Sequence, residues 1–206
     1  IYALPEVVQE AMIQELDYFG LEAAVFSGRP WTDDAAFRRG PELSERRADC
    51  AAVLAAVSAG SRVFIFGSFA PVEMLDTQTM ARTAGPDMLV RRIGCAAVQI
   101  DADRVLVVGG TVGHGFFNTT EIFHLSTLTI TPGPNMQSAR SGSAAVALDA
   151  RRILVVGGFG DGSSLSTTEI FNLGTMAFAP GPAMAARRHG WPAVALAAHH
   201  IMPVTY

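Results

Sequence analysis

Arginine and glutamate recur in step along this sequence, and together they can form ion pairs. The arginines each stand three residues before a short apolar run, at Arg47, Arg92, Arg140 and Arg188. The glutamates follow at matching places, at Glu73, Glu121 and Glu169. Guanidinium groups bind carboxylates through paired hydrogen bonds, so an arc of arginines could hold an acidic peptide. Alternatively, each arginine ties a loop to its own or the next unit through a glutamate, and the repetition favours this structural role.

Two loops at the same place in neighbouring units differ in sequence, and unequal loops are where we expect specificity. They read "TVGHGFFN" at 111–118 and "FGDGSSLS" at 159–166. The adjacent phenylalanines of the first loop could anchor a partner, because aromatic residues are favoured binding hot spots, or could fold back under the loop. The predicted partner-binding residues are Phe116, Phe117, His114, Asp161, Arg92, Arg140 and Arg188.

Catalytic and metal-binding patterns are missing from the sequence. The five histidines show no ligand spacing, and no P-loop, H-E-x-x-H or G-x-S-x-G motif occurs. The stretch "GDGSS" at 160–164 is too short for a calcium loop and is typical of a turn. Cys50 and Cys95 both begin runs of small residues, which core packing explains. The sequence therefore predicts no enzyme, no metal and no cofactor.

The elements that position these residues come from a tandem repeat. "TTEIFHLSTLTITPGPNM" at 119–136 returns as "TTEIFNLGTMAFAPGPAM" at 167–184. The units span 47–91, 92–139, 140–187 and, in part, 188–206. Each complete unit contains four short β-like pieces, which is typical of one blade of a propeller. The repeat signature comprises Gly109, Gly110, Gly157, Gly158, Glu121 and Glu169.

Two features of each unit indicate where its strands lie. The continuous apolar run Val105–Val108 predicts a strand covered on both faces. The double glycines that follow, at Gly109 and Gly157, predict backbone angles open mainly to glycine. The small residues from Gly94 to Ala97 suit a strand on which neighbouring units crowd closely.

These residues resemble the kelch family: an Arg and Gly before a small-residue strand, an apolar strand ending in Gly-Gly, a Glu-aromatic strand, and a Pro-rich exit. The similarity covers about 47–206. It implies an all-β, kelch-type β-propeller with about three complete four-stranded blades, as part of a larger ring. "FRRGPELSERR" at 37–47 aligns with "FAPGPAMAARR" at 178–188, so residues 27–46 are expected to be a linker with a lone outer strand, over 31–46, that closes the ring.

The first 26 residues differ from the repeats. Apolar residues recur at helical spacing between Pro5 and Gly20, which predicts one amphipathic helix. The string "LPEVVQEAMIQELDYFGLE" is similar to the end of BTB domains of the potassium-channel tetramerisation type. The resemblance implies that the helical segment at 1–26 is the C-terminal end of a BTB-like domain and that a homo-oligomer forms through this N-terminal region.

Composition narrows the class of partner. The 206 residues are 50% hydrophobic with a net charge of −4, so nothing favours nucleic acid or an anionic membrane as the partner. No run of about 18 apolar residues predicts a membrane span. With two cysteines and no secretory signal, we expect a cytoplasmic protein.

A kelch propeller joined to a BTB-like domain resembles substrate adaptors of cullin-type ubiquitin ligases. We therefore expect a protein–protein interaction module whose loops bind a substrate protein while the N-terminal region binds a cullin scaffold. Two alternatives stay open: a propeller enzyme acting on carbohydrate or another small molecule, as an oxidase or isomerase with its site in missing blades, and a cytoskeletal scaffold.

Overall fold

The computed structural model describes residues 41–44, 47, 49–57, 60–68 and 70–190, together with the backbone of 193–196 and 200–203. The helix predicted within 1–26 and most of the strand predicted over 31–46 lie outside these residues and stay predictions.

The described residues form strands and connecting loops. The strands in chain order are β1 (Ala51–Val57), β2 (Gly60–Phe66), β3 (Glu73–Asp76), β4 (Arg82–Ala84), β5 (Ala96–Gln99), β6 (Arg104–Val108), β7 (Thr111–Val112), β8 (Gly115–Phe116), β9 (Thr120–His124), β10 (Thr129–Pro132), β11 (Ala144–Asp149), β12 (Arg152–Val156), β13 (Phe159–Gly160), β14 (Ser163–Ser164), β15 (Thr168–Asn172), β16 (Ala177–Pro180), β17 (Ala193–Leu196) and β18 (His200–Pro203). The prediction of an all-β chain is confirmed for this part of the protein.

Three antiparallel sheets of four strands follow one another along the chain. Their orders are β1-β2-β3-β4, β5-β6-β9-β10 and β11-β12-β15-β16. The two-stranded hairpins β7-β8 and β13-β14 are inserted between the second and third strands of the second and third sheets. Strands β17 and β18 pair after the third sheet, where the sequence predicted a partial fourth unit.

The hydrophobic core lies between successive sheets. Val105 and Val107 on β6 pack towards the first sheet, whereas Leu106 and Val108 pack towards the third. All four are 0–1% exposed. Because neighbouring side chains of a strand point to opposite faces, a strand buried on both faces must be apolar at every position. The expectation for Val105–Val108 is confirmed.

The segments that enter the first strands of successive sheets are linked directly by backbone hydrogen bonds. The Gly94 N–H donates to the Asp49 carbonyl at 2.8 Å, Gly142 donates to Gly94 at 2.7 Å, and Gly190 donates to Gly142 at 2.8 Å. Gly94 has a φ of 64°, and a Cβ atom there would collide with Ser141. Glycine therefore permits the close approach of neighbouring units.

Candidate functional site

Loops at one end of the sheets form the candidate site. We call this end the loop face: it consists of the segments after the second strands of the second and third sheets, at 109–119 and 157–167, and the entry segments before β5, β11 and β17, at 85–95, 133–143 and 181–190. Short antiparallel bridges join the two sets of segments, between Ile93 and Thr111 and between Ser141 and Phe159. Residues far apart in sequence therefore share this surface.

The repeated arginines and glutamates form buried ion pairs beneath the loop face. Nη2 of Arg92 lies 2.7 Å from Oε1 of Glu121, and Nη2 of Arg140 lies 2.8 Å from Oε1 of Glu169. In the first unit, Nε of Arg47 donates to the carboxylate of Glu73 at 3.1 Å. The sequence suggested two roles for the arginines, an acidic-peptide site or ion pairs with the repeated glutamates. The ion pairs are present in all three units.

Each ion pair is part of a larger hydrogen-bonded clasp. Nη1 of Arg140 donates to the carbonyl oxygens of Gly157 at 2.7 Å and Thr167 at 3.2 Å. The carboxylate of Glu169 also accepts from the backbone N–H groups of Gln137 and Ser138. One clasp thus holds an entry segment, a second strand and a third strand together.

Burial removes three of the four arginines from the surface, and Arg47 is 8% exposed. Arg92 is 1% exposed and Arg140 is 0% exposed. These three side chains offer a partner no accessible guanidinium group, so they cannot form the surface site that the acidic-peptide hypothesis requires.

The double glycines make the clasp geometrically possible. Gly109 and Gly157 have φ values of 64° and 59°, in the left-handed region that favours glycine. A Cβ atom at Gly109 would collide with the carbonyl oxygen of Arg140. The following residues, Gly110 and Gly158, have φ values of 99° and 101°. The prediction that these positions need glycine is confirmed.

The two adjacent phenylalanines of the first loop lie in different environments. Phe116 ends strand β8, and its ring centroid lies 5.6 Å from that of Phe159 in the next loop. The guanidinium group of Arg92 lies over the ring of Phe117, with Cζ 5.4 Å from the ring centroid. The N–H of Phe117 donates to the carbonyl of Gly110. Phe117 therefore supports the clasp, whereas Phe116 contributes to the loop face.

A row of three rings crosses the loop face. We define the aromatic row as Phe116, Phe159 and His189. The His189 ring meets Phe159 edge-on, with centroids 5.3 Å apart and planes at 71°. Oγ of Ser164 lies 2.8 Å from Nδ1 of His189 and fixes the imidazole.

Sequence comparison of the units does not reveal this row. Phe159 stands where the preceding unit has Thr111, and His189 stands where earlier units have Ile93 and Ser141. Their contact depends on how three units pack together. The one available signal was that an aromatic residue directly follows Gly157-Gly158.

The remaining predicted residues lie at the edge of the row. His114 is exposed in the turn between β7 and β8, and Asp161 is exposed at the tip of the β13-β14 hairpin with a φ of 49°. Arg188 is half-buried; its N–H donates to the carbonyl of Leu165 at 3.0 Å. Its side chain has no hydrogen-bond or ion-pair partner within the described ranges.

The opposite end of the sheets carries polar turns whose aspartates are hydrogen-bonded to groups of the same turn. Asp149 accepts from Nε of Arg152 at 2.7 Å and from the Arg151 N–H at 2.9 Å, and the Arg152 hydrogen bond is the larger cause of the lowered pKa of Asp149. Asp76 likewise accepts from Thr79, whose backbone hydrogen bond is the main reason that its pKa is lowered. These groups are already engaged by their own turns.

Cys95 should be chemically inert in the folded protein. It is only 7% exposed, and desolvation raises its pKa to about 12, with the charge of Arg92 partly opposing the shift. At pH 8 only about one Cys95 in ten thousand is a thiolate, the reactive form. We expect slow labelling by an iodoacetamide reagent in buffer and rapid labelling in denaturant, followed by peptide mass spectrometry. Labelling of Cys95 in buffer at the rate of a free thiol would contradict its burial.

The described cysteines form no disulfide, and no three His, Cys, Asp or Glu side chains in the described part of the chain come together as a metal site. Within the same residues, no helix combines the length and apolarity that crossing a bilayer requires. Comparison of the sequence with protein-family models finds no match, and neither does comparison with curated proteins.

Proposed function

We propose that this protein is a protein–protein interaction module: a kelch-type β-propeller array that binds a partner through its loop face. The observation that carries the proposal is the distribution of uncovered apolar side chains. Leu89 and Val112, both on the loop face, are 52% and 39% exposed, and the half-buried rings of Phe116 and Phe159 lie on the same face. Exposed apolar groups gathered on one surface mark interaction sites.

The polar turns at the other end support this choice of face. Their aspartates are held by hydrogen bonds within the turn, as at Asp101 with Arg104 and at Asp149 with Arg152. A partner that binds there would have to break these hydrogen bonds and replace them with its own to avoid a loss of free energy. The loop face offers a partner more apolar surface at a smaller cost in broken hydrogen bonds.

The further role we propose is a substrate adaptor of a cullin-type ubiquitin ligase, acting in the cytoplasm. It rests on the kelch-like repeats and on the BTB-like string within residues 1–26. In this proposal the loop face binds the substrate protein, and the N-terminal region binds the cullin scaffold and forms a homo-oligomer.

Selection from a random 12-residue peptide display library against the whole chain tests the binding face. We expect selected peptides to lose about tenfold in affinity for Val112→Ala or Phe116→Ala, since a hot-spot side chain contributes on the order of 1.4 kcal/mol or more. Leu54→Ala is the matched control, because Leu54 is 45% exposed but lies on β1. Peptides equally sensitive to all three substitutions, or to none, would contradict the assignment of the loop face.

A further inference from the structure

One end of the aromatic row carries a group of cationic side chains. Arg187 and Arg188 directly precede His189, which forms the last ring of the row. Nη1 of Arg187 donates to Oγ of Ser163 at 3.1 Å, just as Ser164 holds His189. The β13-β14 hairpin therefore places an exposed guanidinium group beside the apolar row.

Arg187 differs from the arginines in the clasps because its side chain is exposed and no carboxylate among the described residues pairs with it. A guanidinium group has five N–H donors, and the hydroxyl of Ser163 occupies one donor of Arg187. Unused donors on an exposed guanidinium group are suited to a carboxylate from outside the chain.

We propose that the loop face binds a peptide segment in which an aliphatic or aromatic side chain stands next to an aspartate or glutamate. This inference rests on the function proposed above for the loop face. The apolar side chain packs on Phe116 and Phe159. The acidic side chain receives charge-assisted hydrogen bonds from Arg187, with Arg188 adding positive charge. Apolar contact supplies affinity and the carboxylate fixes the orientation of the peptide.

Local charge favours this choice of partner over a basic peptide. One exposed acidic residue, Asp161 at the tip of the β13-β14 hairpin, stands against the two arginines Arg187 and Arg188, so the local charge is net positive. A lysine beside the apolar anchor would meet Arg187 and Arg188, and this like-charge contact would weaken binding.

The same display library tests the proposal through the composition of the selected peptides. We expect peptides that depend on Phe116 to be enriched in Asp or Glu next to an apolar residue. They should lose about tenfold in affinity for Arg187→Gln, retain more of it for Arg187→Lys, and weaken in 0.5 M salt. Arg151→Gln, which removes an exposed arginine at the opposite end, should leave affinity unchanged. Thermal melting of each variant verifies that it is folded.

The outcomes separate this proposal from the one on which it rests. Peptides that depend on Phe116 but carry no acidic residue, or that bind Arg187→Gln as tightly as the native chain, would overturn the acidic-partner proposal and leave the loop face as a binding site. Selected peptides that depend on neither Phe116 nor Val112 would overturn both. If acidic peptides lost as much affinity for Arg151→Gln as for Arg187→Gln, the acidic-partner proposal would also be overturned. The loss would then follow from the net charge of the protein rather than from a contact with Arg187.

Discussion

Replacing Arg140 with alanine should lower the free energy of unfolding by about 3–5 kcal/mol, the range for removing one partner of a buried ion pair. Arg140 is 0% exposed and Glu169 is 2% exposed, so the substitution leaves a carboxylate in the interior without its counter-ion. The carbonyl oxygens of Gly157 and Thr167 lose their Arg140 donor in the same step. Urea denaturation followed by circular dichroism measures the change.

Two further variants separate the charge of Arg140 from its geometry. Arg140→Lys keeps a positive charge but has no planar fork, so it should recover part of the loss. Arg151→Ala, at an exposed turn, should leave stability nearly unchanged. A loss below about 1 kcal/mol for Arg140→Ala would show that the backbone donors to Glu169 suffice to stabilise its carboxylate.

Much of the fold could be predicted from the repeat, because the residues that the fold requires recur in each unit. The run Val105–Val108 requires two apolar faces, and the structure supplies a sheet on each side. Gly109 and Gly157 require positive φ, which the structure also shows. The Arg and Glu partners were visible because both residue types keep their places in every complete unit.

The candidate site could be predicted only in part because its residues do not recur. Phe116 and Phe117 are neighbours in sequence, yet Phe117 lies over Arg92 while Phe116 lies near Phe159. Adjacent side chains of an extended segment point in opposite directions, so the two rings meet different neighbours although both are half-buried. Which ring meets Arg92 depends on where its guanidinium group lies, and that position is set by hydrogen bonds to Gly109, Thr119 and Glu121.

The hairpins of the loop face can differ in sequence between units because they lie outside the sheet core. Strands β7, β8, β13 and β14 lie outside the four-stranded sheets; they pair as hairpins, and β7 and β13 also bridge to the entry segments. A Cβ atom at Gly160 would collide with the carbonyl oxygen of Ala139, but the hairpin tips at His114 and Asp161 are exposed and free of the constraint that the sheet core imposes. The unequal loop sequences at 111–118 and 159–166 reflect this freedom.

The largest loss of stability from a single apolar substitution is expected at Phe123. Its ring is 1% exposed and lies 5.3 Å from Phe64 and 5.4 Å from Phe66, centroid to centroid, across the contact between the first two sheets. Phe123→Ala should lower the free energy of unfolding by about 3–5 kcal/mol, because it removes a buried ring and leaves a cavity that a rigid sheet on each side cannot close.

Phe116→Ala provides the matched comparison, since it removes the same side chain from a half-buried position on the loop face. We expect it to cost about 1 kcal/mol or less in stability while weakening peptide binding, whereas Phe123→Ala should lower the urea midpoint with an unchanged m-value and leave the affinity of the folded fraction intact. If Phe116→Ala destabilised the chain as much as Phe123→Ala, the aromatic row would be part of the core. Binding would then have to depend on Leu89 and Val112, whose exposed side chains have no role in holding the sheets together.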